Sequence, residues 1–416
     1  MWSEPPRAGG SFARRSPRLK GEQPRERPAM RAIRPEILAL EPSGIGKVAA
    51  DHLDDPEVIP LWFGESDLVT PPFIRAAATA ALEAGKTFYG PTRGHVPVRE
   101  ALEAYLHRIY GLRIHPDRIS LPGSTMLTVM ITCQCIVTPG DEVVLISPYW
   151  PNIRTVVEVL GGVPVDVRLE EGPDRWHLDL DRVVRAIGPK TKAVYVNSPS
   201  NPTGWIMQPE EQRALLELCR KYGLALIADE VYHRNVFEGP DPAPSFLALA
   251  EEDEPVFVLN GFSKAWAMTG WRLGWMVHPK RLETPIRVLS EINNTGATAF
   301  AQYGGIAALE QGEAFVAEFR ARTRHNRDLV MRILGTHPRV RLLRPEGAFY
   351  AFPKIEGLTD SLAFCRRLVA ECKVGTAAGY TFGQGNESHI RLCFAIHPER
   401  LEIALERIRG VLDRMN

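Results

Sequence analysis

From about residue 120 onward, short apolar segments rich in β-branched residues alternate with longer amphipathic segments. The strand candidates are DEVVLISP from Asp141, VPVDVRL from Val163, KAVYVNSP from Lys192, LALIADE from Leu224, VFVLNGFSK from Val256 and LGWMVHP from Leu273. The segment from Pro209 to Gly223 fits a crossover helix, because proline suits a first helical turn and glycine can end a helix. This alternation predicts an α/β fold with a mostly parallel sheet between helices.

The C-terminal third has a different pattern. It predicts a helix near residues 361–372, a strand within SHIRLCFAI and a last helix from Pro398 to about Arg414, which together suggest a smaller α+β domain. A chain of 416 residues also exceeds one ordinary core. We therefore predict a large domain over 67–296 and a small domain built from 31–66 and 297–416.

Composition excludes several classes of protein. The 50 basic and 50 acidic residues balance, so we expect no nucleic-acid partner, and no apolar run approaches the roughly 20 residues that span a bilayer. Residues 1–30 are rich in Pro, Arg, Gly and Ser and are predicted to be a disordered extension. The Arg14–Arg15 pair in it lacks the apolar stretch of an export signal. Six cysteines without paired spacing favour reduced thiols in a cytoplasmic protein, and the histidines show no metal-ligand spacing.

Polar residues follow several predicted strands, at the sheet edge where ligands of open α/β sheets bind. They are Asn197 and Asn201 with the NPTG turn, Asp229 in ADEVY, Ser263 next to Lys264, and Arg272 in GWRLG. Each alone is a weak signal, because turns, helix caps and solvated lysines are common. Together, in this order and at strand ends, they are specific.

With these motifs, the chain from about residue 31 to its C-terminus resembles the class I/II aminotransferases, which are fold-type I pyridoxal-phosphate-dependent enzymes. The resemblance implies a large domain with a mostly parallel seven-stranded sheet between helices, and a smaller α+β domain. It implies pyridoxal 5'-phosphate as cofactor and transfer of an amino group between an L-amino acid and a 2-oxo acid by a ping-pong mechanism. From the histidine spacing we expect no metal. It also implies a homodimer with a shared active site.

By this resemblance Lys264 holds the cofactor as a Schiff base. A lysine beside cations and shielded from water can lose its proton and become nucleophilic, which agrees with that role. Asp229 would face the pyridine nitrogen, an attraction on the order of 4 kcal/mol at about 4 Å and an effective dielectric constant near 20. Tyr232 and Asn201 would donate hydrogen bonds to the ring oxygen.

The resemblance also assigns the phosphate-binding residues. Arg272 would clamp the phosphate with its planar guanidinium group, and the opposite wall would come from a predicted helix N-terminus formed by Gly123, Ser124 and Thr125. A plain helix cap at Ser124 is compatible with this role. The family often has serine three residues before the lysine, but this chain has Gly261 there and Ser263 beside the lysine. Which hydroxyl meets the phosphate is left open by the sequence.

The remaining implied contacts concern the ring, the partner subunit and the substrate. Trp150 would stack on the pyridine ring, and Tyr89 would reach the phosphate of the neighbouring subunit. Arg391 would bind the substrate α-carboxylate through two parallel hydrogen bonds, each contributing about 1.5–3 kcal/mol. The predicted substrate-binding residues are Gly64, Trp150, Asn201 and Arg391.

Other functions stay open at this point. A C–S β-lyase uses the same constellation, although such lyases often place histidine where this chain has Tyr232. A non-catalytic cofactor-binding regulator would need a DNA-binding module, for which residues 1–30 are too short. A dinucleotide-dependent oxidoreductase lacks its strand–glycine–helix fingerprint, because GIGKVA at Gly44 follows no predicted strand.

The sequence says less about the substrate side chain. Trp62, Trp150, Phe349 and Tyr350 favour aromatic or aliphatic side chains. Arg93 could pair with a second substrate carboxylate, but we interpret it as a surface or interface charge.

Overall fold

The computed structural model describes residues 33–415. Residues 33–40 belong to a unit of their own with one short helix, α1 (Pro35–Leu38), and the chain from Glu41 onward forms one compact unit. The predicted disorder of residues 1–30 lies outside the described residues. Within the described chain, no helix combines the length and the hydrophobicity needed to cross a membrane.

Helices and short strands alternate through most of the described chain. The further α-helices are α2 (Gly44–Ala49), α3 (Pro72–Glu83), α4 (Val96–Tyr110), α5 (Thr125–Ile136), α6 (Asn152–Val159), α7 (Leu180–Ala186), α8 (Pro209–Tyr222), α9 (Phe262–Ala265), α10 (Glu283–Asn294), α11 (Ala299–Gln311), α12 (Glu313–Ile333), α13 (Ser361–Cys372) and α14 (Pro398–Asp413). The strands are β1 (Ile59–Pro60), β2 (Ile119–Gly123), β3 (Glu142–Ser147), β4 (Val163–Arg168), β5 (Glu170–Glu171), β6 (Trp176–His177), β7 (Thr191–Asn197), β8 (Ala225–Asp229), β9 (Val256–Gly261), β10 (Gly274–Val277), β11 (Val340–Arg341), β12 (Tyr350–Ala351), β13 (Lys354–Ile355), β14 (Val374–Gly375), β15 (Ala377–Ala378) and β16 (Ile390–Cys393).

The central sheet has seven strands in the order β2-β10-β9-β8-β7-β3-β4. All neighbours are parallel except at β10, which runs antiparallel to β2 and β9. All six predicted strands lie in this sheet, and the predicted fold class is confirmed. The crossover helix α8 is confirmed as well, and it ends at Gly223 with a left-handed φ of 66° that glycine adopts without strain.

Strand register brings the predicted polar residues to one edge of the sheet. Asn197 and Asp229 are direct partners at the carboxyl ends of β7 and β8. The adjacent strand β9 ends at Gly261 and leads directly into α9, which carries Lys264. On the far side of β10, β2 ends at Gly123 and leads into α5. Four chain segments therefore deliver side chains to one region.

The C-terminal elements follow the sequence predictions closely. Helix α13 occupies 361–372 as expected, β16 lies within SHIRLCFAI, and α14 begins at Pro398. Strand β16 is the centre of a three-stranded antiparallel sheet between β12 and β15. Side chains from 48–62, 231–237 and 319–412 form an apolar core distinct from the two that cover the central sheet. The division into domains 67–296 and 31–66 with 297–416 stays a prediction.

Candidate active site

A cavity of about 130 Å³ opens at the carboxyl edge of the central sheet. It brings together eight of the residues predicted from the sequence, which are Thr125, Trp150, Asn201, Asp229, Tyr232, Ser263, Lys264 and Arg272. Met126, Asn197 and Val231 complete its lining. Residues separated by almost 150 positions in the chain thus surround one small space, as the strand-end argument predicts.

Lys264 is half-buried in the short helix α9. Its Nζ donates a hydrogen bond to the carbonyl of Gly64 at 2.6 Å and lies 5.9 Å from the centre of the Tyr232 ring. Burial lowers the pKa of Lys264 to about 8, with nearby Arg391 and Arg272 acting in the same direction. The amine is therefore much closer to its nucleophilic neutral form than an exposed lysine is.

Asp229 ends β8 and is only 4% exposed. Its carboxylate accepts hydrogen bonds from the Tyr195 hydroxyl at 2.9 Å and from the Val231 amide at 3.3 Å. Burial raises the pKa of this carboxyl to about 6, against a smaller lowering by these bonds and by Lys264. Among the described residues, no cation lies within ion-pair distance of Asp229. A buried carboxylate beside a cavity is therefore left to be balanced by a cationic ligand.

The N-terminus of α5 forms another wall. Ser124 caps the helix, because its hydroxyl accepts a hydrogen bond from the Leu127 amide at 3.3 Å, so the predicted cap is confirmed. A side chain at Gly261 would collide with the Thr125 hydroxyl, which donates to the Asn260 carbonyl at 3.0 Å. Thr125 thus occupies the space that a serine at position 261 would take. Two hydroxyl groups, those of Thr125 and Ser263, face the cavity together with Arg272.

Arg391 lies next to the cavity on β16 and is 1% exposed. Its guanidinium group donates to the Asn201 side-chain oxygen at 3.3 Å and to the Trp62 carbonyl, while its Nε has no partner among the described residues. Its charged group lies 4.7 Å from the Tyr350 ring centre. None of the described carboxylates forms an ion pair with Arg391, so this buried cation is available to an anionic ligand.

Other buried arginines behave differently. Arg93 pairs with Glu283 at 2.5 Å and Arg234 pairs with Glu313 at 2.7 Å. Our interpretation of Arg93 as a surface charge is wrong, because it is buried and also donates to three backbone carbonyls. Its engagement removes it as a partner for a second substrate carboxylate. Buried charges are normally compensated in this way, which makes the uncompensated Arg391 informative.

Besides Arg391, four predicted residues lie outside the cavity lining. Gly123 and Ser124 lie just before Thr125, and Gly64 contacts the cavity through its bond to Lys264. A side chain at Gly64 would overlap with the Tyr350 hydroxyl, so the close approach of this backbone requires glycine. Tyr89 is 91% exposed and lies in a separate shallow pocket with residues 294–300. Its predicted reach to a partner subunit stays a prediction.

Tyr195 was not predicted from the sequence, yet it is fully buried and bonded to Asp229. Nor was a role predicted for Asn197, whose side chain donates to the Asp229 carbonyl at 2.8 Å and accepts from the Asn201 amide at 2.7 Å. The two-residue periodicity of β7 could have identified both residues. Tyr195 and Asn197 are two residues apart on β7, so they share a face of the sheet with Asp229.

The order of the central sheet and the placement of Lys264 and Asp229 at its carboxyl edge are those of a fold-type I transferase. Residues 56–408 match the family model described as aminotransferase class I and II. The aspartate/prephenate aminotransferase of Thermus thermophilus is 35% identical over 395 residues, covering 92% of this chain and 100% of that protein. The solved aspartate aminotransferase from Thermus thermophilus with maleate is 34% identical with a TM-score of 0.84, covering 92% of this chain and 100% of the other.

A third relative is named for aromatic substrates. The aromatic aminotransferase from Pyrococcus horikoshii OT3 is 32% identical with a TM-score of 0.81, covering 88% of this chain and 98% of that one. The chain belongs to the class I and II aminotransferase family, and it is an aminotransferase. The names of these relatives favour transamination over the β-lyase alternative.

Proposed function

We propose that the protein binds pyridoxal 5'-phosphate through Lys264 and transfers the amino group of an L-amino acid to a 2-oxo acid. One observation carries the proposal. Lys264, Arg272 and Arg391 form no ion pair with any described carboxylate, whereas Asp229 is buried without a cation. A ligand with a phosphate, a protonated ring nitrogen and a substrate carboxylate would complement all four groups.

The residues present fit this cofactor. Arg272, Ser263, Thr125 and the N-terminus of α5 would hold the phosphate, because hydroxyls, a guanidinium group and free helix amides all bind anions. Asp229 would face the ring nitrogen, and Trp150 would cover the ring. When bound, the cofactor supplies a conjugated ring that accepts the electron pair of the Cα–H bond.

The side chains of the protein would then bind and orient the amino acid and move one proton. Arg391 would hold the α-carboxylate, with Asn201 fixing its orientation. Lys264 Nζ would accept the proton from Cα, which its lowered pKa allows near neutral pH. Release of a 2-oxo acid and binding of a second one would complete the ping-pong cycle.

An adjoining cavity suggests the class of substrate side chain. It has a volume of about 570 Å³, shares Met126 with the cofactor cavity, and is lined by Met130, Tyr149 and Tyr380 among others. Of the described residues that line it, Arg154 carries the only cationic side chain, and that side chain is already paired with Glu158 and Asp166. These contacts favour an aromatic or aliphatic side chain over a second carboxylate.

A homodimer would complete the site. Phe88 and Tyr89 are highly exposed and share a surface pocket with residues 294–300, and exposed aromatic side chains of this kind are enriched at subunit interfaces. Tyr89 would act on the cofactor phosphate of the partner subunit. We place the enzyme in the cytoplasm, in agreement with its six free cysteines.

Reconstitution of the purified protein with pyridoxal phosphate tests the proposal. Reaction with single amino acids, without a 2-oxo acid, should convert the bound cofactor to its amine form and release the matching 2-oxo acid, fastest for aromatic or aliphatic side chains. Lys264→Ala should abolish this half-reaction and the visible absorbance of the attached cofactor, whereas the control Lys280→Ala should change neither. Release of ammonia with pyruvate would instead support the lyase, and an unchanged spectrum in Lys264→Ala would refute the assignment.

The shared site has its own test. Tyr89→Ala and Lys264→Ala homodimers should both be impaired, but subunit exchange in an equal mixture should restore roughly a quarter of the native sites, because half of the dimers then contain one intact site. No recovery after demonstrated subunit exchange would show that each site is complete within one chain.

A further inference from the structure

Tyr195 lies in the middle of β7 and is completely buried in the apolar core between the sheet and helix α5. Its main-chain partner across the sheet is Ile227, two residues before Asp229 on β8. The ring therefore lies beneath Asp229, on the same face of the sheet. From there its hydroxyl reaches one carboxylate oxygen at 2.9 Å.

The Asp229 carboxylate accepts hydrogen bonds from two donors and also borders the cavity. Tyr195 donates to Oδ2, and the Val231 amide donates to Oδ1 at 3.3 Å. A carboxylate has about four lone pairs, so it keeps acceptor capacity toward the cavity. These two bonds restrict rotation of the carboxylate about its terminal torsion.

The Tyr195 hydroxyl also remains a hydrogen-bond donor over a wide pH range. Burial raises the pKa of its hydroxyl well above the ordinary value, so it stays protonated throughout the neutral range. The other titratable groups that act on or feel the charge of Asp229 are Lys264, Glu230, Tyr232 and Tyr350. Of these, Lys264 alone favours the ionised carboxylate, and it is partly neutral near pH 8.

We propose that Tyr195 is a positioning residue, which keeps the Asp229 carboxylate ionised and directed at the cofactor ring nitrogen. The inference rests on the proposed function, because it assigns Asp229 to that nitrogen. Tyr195 does not touch the cavity and acts only through Asp229. Without it, the buried carboxyl would be protonated at higher pH and would then offer the ring nitrogen no negative charge.

The test compares wild type and Tyr195→Phe by titrating the cofactor-free proteins with pyridoxal phosphate at different pH values. Affinity should decline as the pH is lowered. Loss of a hydrogen bond to a charged group should raise the midpoint pH of that decline by about one unit. The dissociation constant of Tyr195→Phe should match that of wild type above about pH 8 and exceed it about tenfold below about pH 6. Titration of Lys264 and of the cofactor phosphate is common to both proteins and cancels in the ratio.

Two controls separate positioning from packing. Tyr110→Phe removes a buried hydroxyl that has no partner among the described residues, so it should leave the ratio at one at every pH. In an Asp229→Asn background, Tyr195→Phe should produce no pH-dependent difference. A ratio for Tyr195→Phe that is constant with pH, whether equal to one or above it, would overturn the proposal.

The outcome is distinguishable from failure of the proposed function. If the wild-type protein binds no pyridoxal phosphate at any pH, the function is wrong, and so is the inference built on it. If wild type binds the cofactor and loses affinity on acidification, but Tyr195→Phe follows the same curve, the inference about Tyr195 alone is wrong. Thermal melting of both proteins without cofactor would identify a variant that fails to fold. Tyr195→Phe is the suitable variant, because Tyr195→Trp would overfill the core.

Discussion

Arg391→Lys tests whether the uncompensated guanidinium group binds the substrate carboxylate. The substitution keeps the charge but loses the planar fork, so one of the two charged hydrogen bonds should disappear. At about 1.5–3 kcal/mol for that bond, kcat/KM for an amino acid should fall about 10- to 150-fold. The full loss in Arg391→Gln should reach about 3–6 kcal/mol, which corresponds to about 10² to 10⁴ in kcat/KM.

Arg391 also holds Asn201 and the Trp62 carbonyl, so part of any loss comes from displaced neighbours. A primary amine of the same side chain that lacks the carboxylate separates the two effects. Its reaction in single turnover should be slow in wild type and almost unaffected by Arg391→Lys, because there is no carboxylate to lose. An equal fold-loss for the amino acid and the amine would refute the role of Arg391 in carboxylate binding. Unchanged cofactor affinity in the variant serves as the control.

Three further predictions concern pH and stability. Because the folded pKa of Asp229 is about 6 and its ordinary value is 3.8, its charge destabilises the cofactor-free fold above pH 6. Asp229→Asn should therefore raise the free energy of urea unfolding by up to about 3 kcal/mol near pH 8, with the gain vanishing below about pH 4; a pH-independent gain would contradict this. The rate of cofactor attachment should rise with pH through about 8, as Lys264 loses its proton, and a flat profile would contradict the lowered pKa of Lys264. Ser124→Ala should cost about 1 kcal/mol of stability through the lost cap of α5, measurable as a lower melting temperature.

The elements that the sequence predicted well are those encoded in local patterns. Helix α13, helix α14 and the six strands follow from periodicity and from proline and glycine at their ends, which depend on neighbouring residues only. Parallel strands then impose the convergence of Asn201, Asp229 and Lys264, because their carboxyl ends share one edge. Most of the cavity lining was therefore predictable without coordinates.

The features that escaped prediction depend on packing between distant segments. The burial of Arg93 requires the carboxylate of Glu283, which is 190 positions away in the chain. The family often has a serine at the position of Gly261, and in this chain the Thr125 hydroxyl occupies that space. This follows only from the packing of α5 against the end of β9. No periodicity in the sequence identifies either pairing, since both partners have ordinary local patterns.

The contrast between paired and unpaired buried charges separates the groups that compensate each other within the fold from those available to charged ligands. Arg93 and Arg234 are compensated by carboxylates of the protein itself, whether or not a ligand is present. Arg391 and Asp229 are instead solvated by neutral donors and acceptors, so their charges are compensated fully only by ligands. Such groups destabilise the cofactor-free protein and strengthen binding by the same electrostatic interaction. Stabilising substitutions at Asp229 should therefore weaken cofactor binding, which ties the stability of the empty site to its function.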